Sequence, residues 1–174
     1  QTLVGHVQNT VWVKQDYFFV IKFNHRVTSH TVLPKAFDTE KGDRIVASFD
    51  DIAQGEQLLV KIAMSTTSIE GAKKNLQAEV PGWDFAAVKA SAHDDWNNYL
   101  KRIDVEGTEE QKQNYYTSFY HALIQPNQIA DVDGMYRNAD DKVVKAETGQ
   151  FYSTFSCWDT YRAAHPFYTN VMPD

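Results

Sequence analysis

The sequence predicts an α+β protein in which strands come first and helices follow. Two observations carry this prediction. The first seventy residues contain short runs in which apolar and polar side chains alternate, and the remainder carries apolar side chains spaced three and four apart. Because the two patterns occupy separate parts of the chain, we expect an antiparallel sheet region and a separate helical region, and not alternating βαβ units.

Three strands are predicted in the first part of the chain. Residues 17–23 are rich in aromatic and β-branched side chains, and residues 44–49 and 57–64 alternate in polarity. Asp50, Asp51 and Gly55 lie between the last two runs and favour a turn. Short strands separated by polar turns are typical of an antiparallel β-sandwich, whose earlier strands we expect to lie outside this chain.

The helical part begins with a short helix over residues 72–78, which Pro81 and Gly82 close. A second helix begins at Asp84 as its N-cap. Its apolar residues recur at helical spacing and form one stripe: Phe85, Val88, Ala92, Trp96, Tyr99 and Ile103. We expect this stripe, Trp96 included, to be core.

A third helix begins at Thr108, where Gln111 completes a capping box, and ends before Pro126. Few residues separate it from the second helix, which predicts antiparallel packing. A loop and hairpin follow over residues 131–142, and a last helical pattern runs from Ser156 to Pro166.

Composition excludes several classes of protein. The formal net charge is −6, so no basic surface favours nucleic acid or an anionic membrane. The six histidines are scattered without zinc-site spacing, no apolar run is long enough to span a membrane, and no signal peptide is visible. Cys157 is the one cysteine, which rules out a disulfide within the chain, and we expect it to be buried.

The segment 155–162 (Phe-Ser-Cys-Trp-Asp-Thr-Tyr-Arg) is the most informative motif. On a helix, Asp159 and Arg162 share a face, and Trp158 and Arg162 are also neighbours. An aromatic plane beside a carboxylate and a guanidinium suits a sugar, because the ring stacks on its apolar face and the charged groups bond its hydroxyls. The alternative is an ordinary ion pair beside a buried tryptophan, and the pattern alone leaves both interpretations open.

Other acidic residues favour structural roles. Asp131, Asp133 and Gly134 resemble the start of a calcium loop, but the remaining ligand spacing is absent, which favours a turn with Gly134 at positive φ. Glu109 and Glu110 lie in the first turn of a helix, where negative charge complements the helix dipole. We assign no acid/base pair to this chain.

Several ordered stretches together resemble the calcium-dependent α-mannosidases of glycoside hydrolase family 92. They are residues 68–72 with Asn75 and Leu76, residues 116–121, residues 126–127 leading to 131–137, and residues 152–166. The resemblance covers roughly residues 55–174, and it is weaker in the strands before them. Motifs in this order and at these spacings are far more specific than any one of them.

The resemblance implies a partial antiparallel β-sandwich, linker helices and the first elements of an (α/α)6 toroid. The corresponding domains are residues 1–70 for the end of the sandwich, 71–106 for the linker helices, and 107–174 for the start of a truncated catalytic domain. It assigns Trp158, Asp159 and Arg162 to substrate binding. No catalytic or metal-binding residue can be carried over, because we expect those downstream of Asp174.

The resemblance further implies the activity of the parent protein: exo-acting, inverting, calcium-assisted removal of terminal α-linked mannose, with α-1,2 linkages expected. A mannose-containing glycan and the remaining part of the catalytic domain are the implied partners, and a bacterial periplasmic, secreted or cell-surface location is implied. The alternative is a non-catalytic carbohydrate-binding β-sandwich module. A third possibility is an interaction domain without a sugar site, in which Asp159 and Arg162 pair only with each other.

Overall fold

The computed structural model describes residues 2–10, 14–34 and 42–173. They form two compact units, which interleave along the chain. The sheet unit comprises Gln1–Trp83 with Ala130–Phe151, and the helical unit comprises Asp84–Ile129 with Tyr152–Asp174. Strands and helices are thus largely segregated, which confirms the predicted α+β class. The sandwich, linker and toroid boundaries at residues 70 and 106 stay predictions.

The sheet unit is organised around a three-stranded antiparallel sheet. It contains β1 (Thr2–Asn9), β2 (Gln15–Phe23) and β5 (Val60–Ser65), with β2 in the centre. Helix α1 (Ile69–Glu79) packs on one face, where Val20, Ala72 and Leu76 form the buried core. The core is small because only one stripe of α1 is apolar.

The opposite face of this sheet is also apolar. Directly paired residues share a face, and the register pairs Ile21 with Ile62 and Phe19 with Met64. Ile62 and Met64 remain more than half exposed. The described residues therefore cover this sheet with a helix on one side only.

Two smaller antiparallel sheets complete the unit. Strand β3 (Val27–Leu33) pairs with β4 (Arg44–Phe49), and β6 (Met135–Arg137) pairs with β7 (Val143–Lys145). The hairpin predicted over residues 131–142 is thereby confirmed, and Gly134 takes the expected positive φ of 81°.

A buried polar cluster joins this hairpin to the start of α1. Asp131, which is 2% exposed, accepts hydrogen bonds from Ser65 Oγ at 2.8 Å, Thr67 Oγ1 at 2.6 Å and Asn75 Nδ2 at 2.8 Å. Asn75 Oδ1 in turn accepts from the backbone N–H of Val132 at 2.9 Å. We call Ser65, Thr67, Asn75 and Asp131 the Asp131 cluster. It fastens two segments that lie more than fifty residues apart in the chain.

The helical unit contains α2 (Phe85–Leu100), α3 (Glu109–Leu123), α4 (Cys157–Thr160) and α5 (Ala164–Val171). Both predicted caps are confirmed. Asp84 accepts from Ala87 N, and Thr108 forms the full capping box with Gln111. Trp96 of α2 contacts Tyr120, while Ile103, just beyond α2, contacts Tyr116. The later residue of the first segment thus contacts the earlier residue of α3, which confirms antiparallel packing.

Some predicted boundaries and burials are wrong. The strand predicted over 57–64 begins at Val60, because the Asn24 side chain bonds Gln57 O and Leu59 N and takes their place in the ladder. Helix α2 ends at Leu100, so Ile103 lies outside it. Its apolar stripe is not core either: Phe85 is 71% exposed, and Trp96 is half-buried.

Candidate functional site

The candidate site lies on α4, a single helical turn between Ser156 and Tyr161. Trp158 is 86% exposed, and Asp159 is exposed beside it. A large aromatic ring left almost wholly in solvent gains nothing from folding, since burial of apolar area is what stabilises such a side chain. The buried tryptophan of the ordinary interpretation is therefore wrong, and the ring is available to a ligand.

Backbone and side-chain bonds fix the turn that carries these residues. The N–H of Asp159 donates to Ser156 O at 3.0 Å, and that of Tyr161 donates to Cys157 O at 3.1 Å. The Thr160 hydroxyl lies 3.1 Å from Ser156 O and 3.1 Å from His165 Nε2. Since the hydroxyl has one proton to give to Ser156 O, His165 Nε2 is the donor in the second bond.

Aromatic packing behind the turn ties it to α5. The Phe155 ring stacks on Tyr168 with centroids 5.6 Å apart and meets His165 edge-on at 5.4 Å. Phe167 packs edge-on against Phe119, which is 4% exposed on α3. These contacts connect the residues before and after α4 to the helical unit, while the Trp158 ring itself extends into solvent.

Tyr168 connects this segment to the end of α3. Its hydroxyl lies 2.6 Å from Ala122 O and 3.0 Å from Gln125 O, the two carbonyls to which it can donate. Burial raises the pKa of Tyr168 above its ordinary value of 10.0. The neutral phenol is the form that the folded state holds.

This arrangement predicts an alkaline sensitivity of the helical unit. The pKa of Tyr168 is higher in the folded than in the unfolded state. The contribution of its neutral phenol to the free energy of unfolding is therefore complete below pH 10 and is lost as the pH rises further. The stability difference between wild type and Tyr168→Phe should therefore stay constant from pH 8 towards pH 10 and shrink as the pH rises above 10. Urea unfolding of both proteins across this range checks the prediction. A constant difference would show that Tyr168 does not titrate with folding.

Arg162 is not where the sequence pattern predicts. Helix α4 ends at Thr160, so Asp159 and Arg162 do not share a helical face. The Nε of Arg162 donates to Tyr161 Oη at 2.7 Å, and its guanidinium lies 5.5 Å from the Tyr161 ring centroid. In the described part of the chain it forms neither an ion pair with Asp159 nor a cation–π contact with Trp158. Trp158 and Asp159 are thus consecutive exposed residues of α4, and Arg162, which follows the turn, bonds Tyr161 instead.

The predicted fourth helix is likewise broken. Residues 161–163 separate α4 from α5, and Pro166 lies in the first turn of α5. A proline is tolerated there because the first N–H groups of a helix have no intrahelical acceptor. Cys157, expected to be buried, is exposed.

A cleft of about 800 Å³ lies in the same unit, and it was not apparent from the sequence. Six aromatic side chains line it: Trp96, Tyr99, Tyr120, Tyr152, Phe155 and Tyr168. We call it the aromatic cleft. The helical spacing of Trp96 and Tyr99 was the one available signal, and it was interpreted as core.

Within residues 2–10, 14–34 and 42–173, no group of three or more His, Cys, Asp or Glu side chains is placed to hold a metal ion. Asp131 and Asp133 do not form one: Asp131 is satisfied inside its cluster, and Asp133 bonds Lys74 Nζ at 2.7 Å. That bond is the main cause that lowers the pKa of Asp133. No helix in the same residues is long and apolar enough to cross a membrane.

Comparison with protein families gives a match to the glycosyl hydrolase family 92 catalytic domain over residues 71–174, more than half of the chain. No curated protein sequence matches the chain. Among solved structures, the family GH92 α-mannosidase BT3965 from Bacteroides thetaiotaomicron is similar, with 29% identity, a TM-score of 0.83 and coverage of 96% of this chain. The same enzyme is also known in complex with mannoimidazole.

A second similar structure is the GH92 inverting mannosidase BT2199 from the same organism, at 27% identity, TM-score 0.81 and 97% coverage of this chain. A third, the GH92 family glycosyl hydrolase ccman5, has 19% identity, a TM-score of 0.86 and 99% coverage, and it supports the fold alone. In each case this chain spans about a quarter, 24%, of the length of the other protein.

Proposed function

Because this chain belongs to glycosyl hydrolase family 92, we propose that it is part of an exo-acting α-mannosidase and contributes Trp158 and Asp159 to mannose binding. The observation that supports this role is the 86% exposure of Trp158 on a turn whose preceding residue, Phe155, packs on Tyr168 of α5. The ring offers a flat face to the apolar side of a pyranose, and the adjacent carboxylate accepts hydrogen bonds from its hydroxyls.

Arg162 has a supporting role in this proposal. Its Nε is engaged by Tyr161, so its terminal nitrogens are the donors left for a sugar hydroxyl. Contact with a ligand would involve both residues, because the guanidinium lies over the tyrosine ring. We therefore expect changes at Arg162 to weaken binding less than changes at Asp159.

The inverting mechanism and the calcium ion of the parent enzyme are proposals that rest on the family and not on residues of this chain. An inverting glycosidase requires a carboxylic acid at the leaving oxygen and a carboxylate base on the opposite face of the sugar. We assign neither role to a residue of this chain. Calcium, which the family resemblance implies, would bind sugar hydroxyls, but the described residues do not supply a cluster of ligands for it. No step is attributed to it here.

The alternative, a binding module built on the β-sandwich, receives less support. The exposed tryptophan belongs to the helical unit and not to the sheet unit. The third possibility, an interaction domain without a sugar site in which Asp159 and Arg162 pair only with each other, also receives less support, because the described residues show Arg162 bonded to Tyr161 and not to Asp159. A periplasmic, secreted or cell-surface location remains part of the proposal, and fractionation of producing cells would test it.

Binding measurements on variants test the proposed role. Trp158→Ala should weaken mannose affinity by about tenfold, since the stacking ring is lost. Asp159→Asn should weaken it by about 10- to 100-fold, since hydrogen bonds to a charged acceptor are lost. Isothermal calorimetry on the chain measures the first effect. In the parent enzyme, kcat/KM for an α-mannoside, with calcium present and after chelation, measures both the site and the metal requirement.

Phe85→Ala provides the matched control, because Phe85 is an aromatic residue of the same unit, 71% exposed, and lies on a different helix. It should bind mannose as the wild type does. Unchanged mannose affinity in both Trp158→Ala and Asp159→Asn would refute the proposed site.

A further inference from the structure

The aromatic cleft has the volume of a ligand site. Its volume of about 800 Å³ falls within the range of roughly 300–1,000 Å³ that ligand pockets occupy. Trp96 and Tyr120 meet edge to face across α2 and α3, with centroids 4.4 Å apart, and thereby fix the relative position of two rings in the wall. The cleft lies entirely within the helical unit.

Its aromatic rings are only partly used by the fold. Tyr99, Tyr120 and Tyr152 are 45%, 38% and 47% exposed, although all three line a concave surface. Tyrosine rings combine a flat apolar face with a polar hydroxyl at the edge. A pyranose ring has a matching apolar face and hydroxyl groups around its rim. The rings therefore favour a ligand that is flat and apolar on one face and polar at its rim.

The charges in the cleft indicate a neutral ligand. Of its lining residues only Asp95 and Arg102 are charged, and they carry opposite signs. Side-chain amides supply the remaining polarity, from Gln125, Asn127 and Gln128. An anion or a cation would find no excess of the opposite charge, whereas a hydroxylated neutral ligand finds donors and acceptors in one place.

The same amides disfavour an apolar partner. A hydrophobic helix laid into the cleft would remove them from water without hydrogen bonds, and burying an unpaired amide is costly. The loop that carries them is also held in place. Ser153 Oγ donates to Gln125 Oε1 at 3.1 Å, Asn127 N donates to Ser153 Oγ at 3.0 Å, and Gln128 forms a β-bridge with Tyr152. These bonds fix the Gln125 side chain and the backbone at Asn127 and Gln128, which places the amides in one wall of the cleft.

We propose that the aromatic cleft binds a neutral oligosaccharide, as a second carbohydrate site beside Trp158 and Asp159. The two sites belong to one continuous segment. Phe155 lines the cleft, contacts His165 and precedes Ser156, the N-cap of the turn that carries Trp158. The choice of an α-linked manno-oligosaccharide as ligand rests on the proposed function, and the cleft would contact sugar units beyond the terminal mannose.

Calorimetric titration of the chain with mannose and with α-linked mannotriose tests the proposal. Mannotriose should bind the wild type about tenfold more tightly than mannose, an increment of the size that one aromatic contact and one or two hydrogen bonds provide. Tyr152→Ala and Gln128→Ala should each remove most of this advantage and leave the affinity for mannose unchanged. Phe85→Ala, which alters an exposed ring outside the cleft, should retain it.

The outcomes separate the two proposals. Equal affinities for mannose and mannotriose in the wild type, or an advantage that survives in both cleft variants, would overturn the second site and leave the first intact. Mannose binding that is insensitive to Trp158→Ala, with the mannotriose advantage still lost in the cleft variants, would overturn the first site alone. Self-association that Tyr152→Ala abolishes would identify a second copy of the chain as the occupant and would refute the cleft proposal. If neither sugar binds, both proposals fail.

Discussion

Replacing Gly71 by alanine should destabilise the sheet unit by about 3 kcal/mol, at the upper end of what overpacking a core costs. A Cβ at this position would lie closer than 3.0 Å to Asp131 Oδ2, 2.6 Å from Ser65 Oγ and 2.7 Å from Thr67 Oγ1. Real Cβ atoms do not approach other atoms so closely. Because the three oxygens belong to one hydrogen-bonded cluster, none can move without breaking bonds to the others.

The requirement for glycine at this position is one of space. Gly71 lies in the first turn of α1 at an ordinary helical conformation, and alanine is otherwise the better helix former by roughly 1 kcal/mol. The predicted loss is therefore opposite in sign to the effect of helix propensity. Urea unfolding measures the total change, and amide hydrogen exchange at Leu76, in the buried core beside α1, locates it.

Gly107→Ala is the matched control. A Cβ there would approach, among the described residues, the side chain of Gln111, whose Oε1 is 2.9 Å away and can move aside at the cost of its capping-box bond from Thr108 N. We expect a change well below that of Gly71→Ala. A double variant sharpens the test, since Gly71→Ala should cost much less when Asp131 is already alanine. Equal costs in the two backgrounds would show that Asp131 is not the group with which the new methyl collides.

Many of the elements were predictable from the sequence because their signals are local, although strands β1 and β3 were not predicted. The capping box at Thr108 and the N-cap at Asp84 each depend on residues three apart, and both form. The alternation in residues 44–49 coincides with β4. The class of the fold, strands followed by helices, depends on these local patterns alone.

Burial was less predictable because it depends on which segments meet. The stripe on α2 has the spacing of a core helix, yet none of its residues is buried within the part of the chain that the structure describes. Trp158 is a second residue whose burial the local pattern does not predict. Its neighbours predict an ion pair beside a buried ring, but α4 ends after one turn, and the ring remains in solvent. Helical spacing identifies an apolar face and leaves its partner unspecified.

The Asp131 cluster was missed for a related reason. The acidic pattern at Asp131 and Asp133 predicted a turn, and the turn forms, with Asp133 Oδ1 accepting from Met135 N at 3.3 Å. The other carboxylate points into the sheet unit, where its partners Ser65, Thr67 and Asn75 lie more than fifty residues earlier. Nothing in the local pattern distinguishes the two aspartates. Stretches around Asn75 and Asp131 are among those that resemble the family. Part of the resemblance therefore involves residues that contact each other in the fold.

Asp131→Asn should cost roughly 2–3 kcal/mol of stability, although it changes one oxygen to nitrogen and almost no volume. The carboxylate is surrounded by donors on both sides. Asn75 Nδ2 faces Oδ1, and the hydroxyls of Ser65 and Thr67 face Oδ2. An asparagine NH2 group placed at Oδ1 would oppose Asn75 Nδ2, and one placed at Oδ2 would face Ser65 Oγ, which already accepts from Thr67 N and Ser68 N. A rotation of Asn75 does not repair the mismatch, because its own Nδ2 also donates to Met64 O and its Oδ1 accepts from Val132 N.

Two neighbouring substitutions separate this effect from a general sensitivity of the region. Asp133→Asn removes a partly exposed ion pair with Lys74 and should change stability much less, because solvent screens that pair. Thr66→Val removes a buried hydroxyl that has no hydrogen-bond partner among the described residues, so it should be neutral or stabilising. Urea unfolding of the three variants gives the ranking. If Asp131→Asn proved as mild as Asp133→Asn, the buried carboxylate would not be what fastens the hairpin to α1. With the predicted ranking, the role of Asp131 lies in the fold, whereas Asp159 on α4 is exposed and open to a sugar.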